Sequence, residues 1–144
     1  MKKIIIGAAM LFTVSAYANP TVIDVSILKN FKETFPAAQN VQWNETETYC
    51  RVGFKENDIQ SSIYYDLKGN IIRTLRYYSE KNLCPFIALK VKEKYTNKSI
   101  KGIVELQDEN GLIYEIIMED EKSTYILNSD ATGNIYLKNK LKKV

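Results

Sequence analysis

The sequence predicts an α+β protein. It reads as a tandem repeat of one helix plus a four-stranded antiparallel meander, with the helices packed on one sheet face and the other face open. Three observations predict this. Apolar residues at helical spacing, Ile27, Leu28, Phe31 and Phe35, recur 60 residues later as Ile87, Ala88, Val91 and Tyr95. Each set is followed by four runs of strand character separated by short polar turns. The last turn returns too, Gly69, Asn70 and Ile71 reappearing as Gly133, Asn134 and Ile135 at an offset of 64. The difference between the offsets implies an insertion in the second copy, most simply in the hairpin from Gln107 to Gly111. A single helix can cover only one face of its sheet, so the far face is left to solvent.

The chain opens with the pattern of an export signal over residues 1–18. Lys2 and Lys3 give a positive start, Ile4 to Val14 an apolar run, and Ala16, Tyr17 and Ala18 a small-x-small cleavage site. An apolar run of about 11 residues is too short to cross a bilayer as a stable helix. No cysteine follows the cleavage site, so lipid attachment is not indicated. The expected mature protein lies in the bacterial periplasm or is secreted, with no integral membrane segment. Residues 19–80 form the first repeat and residues 81–144 the second, together one compact domain.

In the first repeat, Asn19 to Val25 reads as an extended lead-in and Ser26 as a helix N-cap. Pro36 removes a helical hydrogen bond and disfavours helical geometry at Phe35, which ends the helix there. Strands follow over Asn40 to Thr46, Thr48 to Phe54, Ile59 to Asp66 and Ile71 to Tyr78. The second sets Cys50, Val52 and Phe54 against Tyr49, Arg51 and Gly53. The third sets Ile59, Ile63 and Tyr65 against Gln60, Ser62 and Tyr64. Ile71 to Tyr78 is rich in branched and aromatic residues but does not alternate cleanly. In the second repeat, Ser79 to Asn82 is a polar link and Cys84 precedes Pro85, which suits the first turn of a helix. The strands return over Ile100 to Leu106, Leu112 to Met118, Ser123 to Asn128 and Asn134 to Leu141.

Composition limits the chemistry. The net charge is +3, and loss of Lys2 and Lys3 with the leader brings it closer to neutral, so nothing draws the chain to nucleic acid. The lysines at 138, 140, 142 and 143 read as a solvated edge strand that resists aggregation. The chain contains no histidine, which removes Ser-His-Asp and Cys-His nucleophile systems and the usual zinc sites. Two cysteines remain, Cys50 in mid-strand and Cys84 at a helix start. In an oxidising compartment they could form a disulfide, worth about 3–4 kcal/mol by the chain-entropy estimate.

Several local patterns have plain readings. Asn128, Asp130, Thr132 and Gly133 resemble the start of a calcium loop, but the twelfth position is Asn139 where a bidentate glutamate is needed, and a hairpin turn accounts for them. Asn44-Glu45-Thr46 and Asn97-Lys98-Ser99 fit a glycosylation triplet and read as chance in a chain with a bacterial leader. Asp108, Glu109, Glu119, Asp120 and Glu121 could supply paired carboxylates for hydrolysis but sit at turns, where charges are ordinarily solvated.

The aromatic residues point elsewhere. There are ten tyrosines and one tryptophan, more than a small core needs. Trp43, Phe54, Tyr65 and Tyr95 fall to the core by alternation. Tyr49, Tyr64 and Tyr136 share parity with Arg51, Gln60, Ser62, Lys138 and Lys140. A sheet face bearing tyrosine with arginine and lysine has the composition of a protein-binding surface. The candidate binding residues are therefore Tyr49, Arg51, Tyr64, Tyr136 and Lys138, with no catalytic residue, metal or cofactor expected.

The run Phe31-Lys32-Glu33-Thr34-Phe35-Pro36, then Val41-Gln42-Trp43, then Tyr49, Val52 and Phe54, then Tyr65, Asp66 and Gly69, resembles the PepSY-like proteins of the β-lactamase-inhibitor-like (BLIP-like) fold. These are small exported proteins found especially in Bacteroidetes. The second copy departs from the pattern, with Tyr95-Thr96 in place of Phe-Pro and no tryptophan after it. The resemblance implies a tandem helix-plus-sheet unit, and its namesake fold grips an enzyme with a sheet face. It transfers no catalytic residue. The functional expectation is an exported, non-catalytic protein-binding module, inhibitor-like in one version, whose partner is another envelope or extracellular protein. A structural or chaperone-like envelope component that works through sheet edges is the alternative, and a hydrolase ranks last.

Overall fold

The computed structural model describes residues 23–143, so the export signal read over residues 1–18 lies outside the described residues. The first half runs α1 (Val25–Thr34), β1 (Gln39–Glu45), β2 (Tyr49–Glu56), β3 (Ile59–Asp66) and β4 (Ile71–Tyr78). A one-turn 3-10 helix (Glu80–Asn82) leads into α2 (Pro85–Lys94), β5 (Ser99–Asp108), β6 (Gly111–Glu119), β7 (Ser123–Asp130) and β8 (Ile135–Lys142). All eight strands form one antiparallel sheet in sequence order. Each half is a helix followed by a four-stranded meander, as the sequence predicts. β5, at ten residues, and β6, at nine, are the longest strands and take up most of the inserted residues in their hairpin, while the turn from Asp120 to Lys122 is one residue longer than its counterpart at Asn57 and Asp58.

Local chemistry sets the helix limits. Asp24, not Ser26, caps α1: its Oδ1 accepts the Ser26 N–H at 2.7 Å and the Ser26 hydroxyl at 2.6 Å. The serine is instead the second residue of the helix. At the other end the Phe35 N–H donates to the Phe31 carbonyl at 2.9 Å, and Pro36 prevents a further turn. Pro85 opens α2 directly after Cys84.

Helices of ten residues are marginal on their own, so packing holds them. Ile27 and Phe31 of α1 lie on Val52, Phe54, Ile63 and Tyr65, with Trp43 and Phe35 at the margin. The Phe31 ring meets Trp43 and Phe54 edge-on, with centroids at 5.2 and 5.1 Å. Ile87 and Val91 of α2 lie on Ile103, Tyr114, Ile116, Met118 and Leu127, with Tyr78 and Leu83 closing the cluster. Phe31 is 4% exposed and Val91 0%, so both repeat-defining positions are core. Burial of each such side chain is worth about 1.5–3 kcal/mol. The two clusters are separate, one under each helix.

β4 and β5 join the halves, with Arg73 to Tyr78 set against Ile103 to Asp108. On the helix side of this seam, Glu105 accepts from Arg76 Nη1 at 2.9 Å and from the Tyr78 hydroxyl, while the Arg76 guanidinium lies 5.4 Å from the Tyr78 ring centroid. The Glu105 side chain is only 14% exposed. Burial, followed by the bond to Glu105, raises the Tyr78 hydroxyl far above its usual pKa, so it stays a donor.

The repeated turns share one lock. Asp66 Oδ1 accepts the N–H groups of Lys68 and Asn70, and its Oδ2 accepts the Asn70 amide. Asp130 does the same with Thr132 and Asn134. Gly69 and Gly133 supply the positive φ, 86° and 81°, that each turn requires. Of the oxygens read as a calcium-loop start, those of Asp130 and Thr132 are thus engaged by the turn's own donors.

These bonds hold both carboxyls below the usual range, Asn70 contributing most at Asp66 and Thr132 most at Asp130. A carboxyl depressed on folding contributes stability above its unfolded pKa, about 3.9, and that contribution is lost as pH falls through the folded value. The urea midpoint should therefore fall steadily below about pH 4. A variant carrying Asp66→Asn and Asp130→Asn should be less stable at pH 6 and lose less on acidification. An unchanged wild-type midpoint between pH 6 and pH 2.5 would contradict this.

Candidate functional site: the open sheet face

Both helices cover the same side of the sheet, because Val52, Ile63, Ile103, Ile116 and Leu127 share that side and pack beneath them. Their strand neighbours therefore project to the opposite face. That face carries the predicted residues Tyr49, Arg51, Tyr64, Tyr136 and Lys138, but in two separated groups.

The first group lies on β2 to β4. Arg51, Tyr64 and Arg73 stand side by side on three adjacent strands. Both guanidiniums lie against the Tyr64 ring, at 5.9 Å for Arg51 and 5.8 Å for Arg73. Tyr49 meets Tyr64 with centroids 5.5 Å apart. Arg51 is held down by Ser62, whose Oγ accepts from Nη2 at 2.8 Å and from Nε at 3.3 Å. Tyr49, Tyr64, Ile72 and Arg73 line one side of a cleft of about 540 Å³, closed opposite by Asp108, Glu109 and Asn110 of the β5–β6 hairpin.

The second group lies at the far edge. Tyr136 accepts from the Asn128 amide at 3.2 Å, and Lys138 pairs with Glu115. Asn128 Oδ1 is buried without a hydrogen-bond partner among the described residues. Five strand spacings, about 24 Å, separate Tyr64 on β3 from Tyr136 on β8. Lys140 leaves the face altogether. A bulge at Lys138 shifts the register, so that Leu137 opposes Leu127 but Asn139 opposes Ile126. Lys140 consequently sits beside Tyr125 on the helix side, its Nζ 5.1 Å from the ring centroid.

Sequence reasoning missed what lies between the groups. Leu75, Leu106 and Ile113 align across β4, β5 and β6; Tyr77 opposes Val104, and Ile117 opposes Ile126. These seven residues project from the face that no helix among the described residues covers, and Tyr77 is 44% exposed. The signal was present in the failure of Ile71 to Tyr78 to alternate, since a strand apolar on both faces has something to bury on both.

The remaining candidates are occupied by local bonds. Asp120 accepts from the Tyr125 hydroxyl at 2.7 Å and from the backbone of Lys122 and Ser123, and Glu119 pairs with Lys143 at 2.9 Å. These partners, the Tyr125 hydroxyl first for Asp120 and Lys143 first for Glu119, hold both carboxyls below their usual range, which favours the ionised form over a general acid. Among the described residues no cluster of three or more metal-ligating side chains occurs, and no helix is long and apolar enough to cross a membrane.

The Cys50–Cys84 disulfide raised by the sequence is not formed; both cysteines are free. Cys50 is buried on β2 beside Tyr65 under the first half, whereas Cys84 is exposed at the start of α2 in the second. Burial, then the charge of Glu45, raises the Cys50 thiol above its usual pKa and makes it a poor nucleophile. Native protein should therefore yield one fast-reacting thiol with a colorimetric disulfide reagent, and a second only on unfolding. Two unreactive sulfurs that appear only after reduction would contradict this arrangement.

No protein-family model matches the sequence, and no curated protein matches it. Solved structures do. A BLIP-like protein of Bacteroides fragilis superposes with a TM-score of 0.59 at 18% identity, covering 83% of this chain and 85% of that one. A DUF2874-family protein of Bacteroides uniformis gives 0.59 at 14% identity, covering 83% and 89%. A Bacteroides eggerthii protein described as periplasmic gives 0.58 at 11% identity, covering 83% and 88%. At these identities the likeness concerns the fold: this chain has the two-helix, eight-stranded fold of the BLIP-like and DUF2874 proteins.

Proposed function

We propose that this protein is an exported, non-catalytic protein-binding module that docks its partner on the open face of the sheet. The observation that carries the reading is the apolar band of Leu75, Tyr77, Val104, Leu106, Ile113, Ile117 and Ile126 on the face away from both helices. Apolar side chains on an uncovered face, Tyr77 exposed and the other six half-buried around the Glu115–Lys138 pair, favour an interaction site there. Tyrosine and arginine at one end of the band are the residue types that carry binding energy at interfaces. Export rests on the leader pattern at residues 1–18 and agrees with the periplasmic description of the Bacteroides eggerthii relative. An inhibitor-like mode, in which the face covers the working surface of an envelope or extracellular protein, fits this geometry. The fold alone names no target.

A chaperone-like role through sheet edges is disfavoured by the form of the edges. β1 carries an irregularity between Gln39 and Gln42, with Asn40 at φ 54°. β8 carries the Lys138 bulge and a row of lysines. Bulges and edge lysines obstruct strand addition.

Site-specific photo-cross-linking tests the reading. A photoreactive residue in place of Tyr77, on the open face, should give discrete adducts in the cell envelope, and one in place of Leu89, on the outer side of α2, should not. Substituting Tyr49, Tyr64 and Tyr136 with serine should weaken the adducts from position 77. Adducts from position 89 alone, or from neither position, would reject the face as the docking surface.

A further inference from the structure

Arg51 and Arg73 are two cationic groups that the sheet sets side by side on the open face. Several other charged groups of that face have partners: Lys138 pairs with Glu115, Lys143 with Glu119, Lys55 with Asp58, and Asp66 and Asp130 are engaged by their own turns, while Glu109 stands on the opposite wall of the cleft. Neither arginine has a carboxylate within ion-pair distance among the described residues. Asp108, opposite Arg73 across the seam, accepts instead from the Asn110 N–H of its own turn at 2.8 Å. The two guanidiniums flank one ring, and their Cα atoms are two strand spacings, about 10 Å, apart. Such an arrangement leaves two like charges close together, a cost that an incoming anion would relieve.

The pair is also pre-positioned. Ser62 is 97% removed from solvent, being 3% exposed, and its hydroxyl fixes Arg51 flat against the sheet. With Nε and Nη2 engaged by Ser62, Nη1 remains for a ligand. Ordering the arginine before the partner arrives lowers the entropy lost on docking.

We propose that the open face takes an extended partner segment in which an aspartate or glutamate adjoins an aromatic or aliphatic residue. The carboxylate meets Arg51 and Arg73, and its neighbour packs on Tyr49 and Tyr64 in the cleft. A charge-assisted bond to a fixed guanidinium gives both strength and orientation. This inference rests on the open face being the docking surface. It adds the chemistry of what docks there.

The test uses three blocked peptides, N-acetyl-Phe-Glu-Leu amide and its Gln and Lys counterparts, titrated into the isotopically labelled mature protein and followed by NMR. The Glu peptide should give saturable shifts confined to β2–β4. Its affinity should exceed that of the Gln peptide by about tenfold, as loss of a charge-assisted bond implies. The preference should vanish in the Arg51→Gln/Arg73→Gln variant, and Arg73→Gln alone, which leaves the Ser62 contact intact, should reduce it. Tighter binding of the Lys peptide, lost on Asp108→Asn/Glu109→Gln, would overturn the proposal and assign the cleft to basic segments. Saturation by no peptide would also overturn it. Photo-adducts at position 77 surviving either negative result would show that the face docks a partner of different chemistry. Loss of both would remove the docking surface itself.

Discussion

The ladder between β4 and β5 is the constraint on which the rest of this molecule depends. It turns two helix-plus-meander units into one sheet, and only one sheet has a continuous far face. On the helix side the join is marked by Glu105, sheltered from water itself and held by the buried Tyr78 and the more exposed Arg76. Such a network adds little net stability compared with an apolar pair, but stranding one member is costly. We read its value as register. Sliding β5 by one residue would carry Glu105 to the open face and bring Val104 and Leu106 under the helices. The same pairing that seats Glu105 therefore also sets Leu75 on Leu106 and Tyr77 on Val104 on the other side.

From this follows an asymmetry between the faces. The helix side is finished in two clusters, each closed by one helix. The far side carries large, half-buried side chains with no described helix over them, densest across the seam strands and flanked by the Arg51–Tyr64–Arg73 ladder. Strand propensity and cross-strand pairing give isoleucine and tyrosine one reason to be there. The docking role proposed above would give a second. Because the band crosses the seam, docking on it would engage both halves and reinforce their junction.

Much of the architecture could be read from residue order. Phe31 and Val91 announced the helix cores, Pro36 and Pro85 the helix limits, and the paired glycines at 69 and 133 the equivalent turns. The cap of α1 was misplaced by two residues because Asp24 and Ser26 are both good capping types, and only geometry distinguishes the acceptor from the donor. Lys140 was misplaced for a different reason. Alternation counts residues, and the bulge at Lys138 inserts one without a sequence mark that parity can detect. The candidate site was legible only in part. Parity gathered Tyr49, Arg51, Tyr64, Tyr136 and Lys138 on one face, yet gave no distance across it, so two clusters about 24 Å apart looked like one. The central apolar band stayed hidden because a strand apolar on both sides reads as buried on both, whereas no described helix covers the second side. The cysteine pairing could not be settled by spacing, since strand and helix start lie in different halves.

Amide hydrogen exchange at the seam tests the central claim most directly. If the eight strands form a single sheet, the amides of Arg73–Tyr78 and Ile103–Asp108 should be protected like those of the interior strands β3 and β6, and far more than those of edges β1 and β8. Glu105→Ala should loosen this protection locally before it affects either helix cluster. Seam amides that exchange as fast as the edge strands would mean two independent units, and the continuous face would not exist.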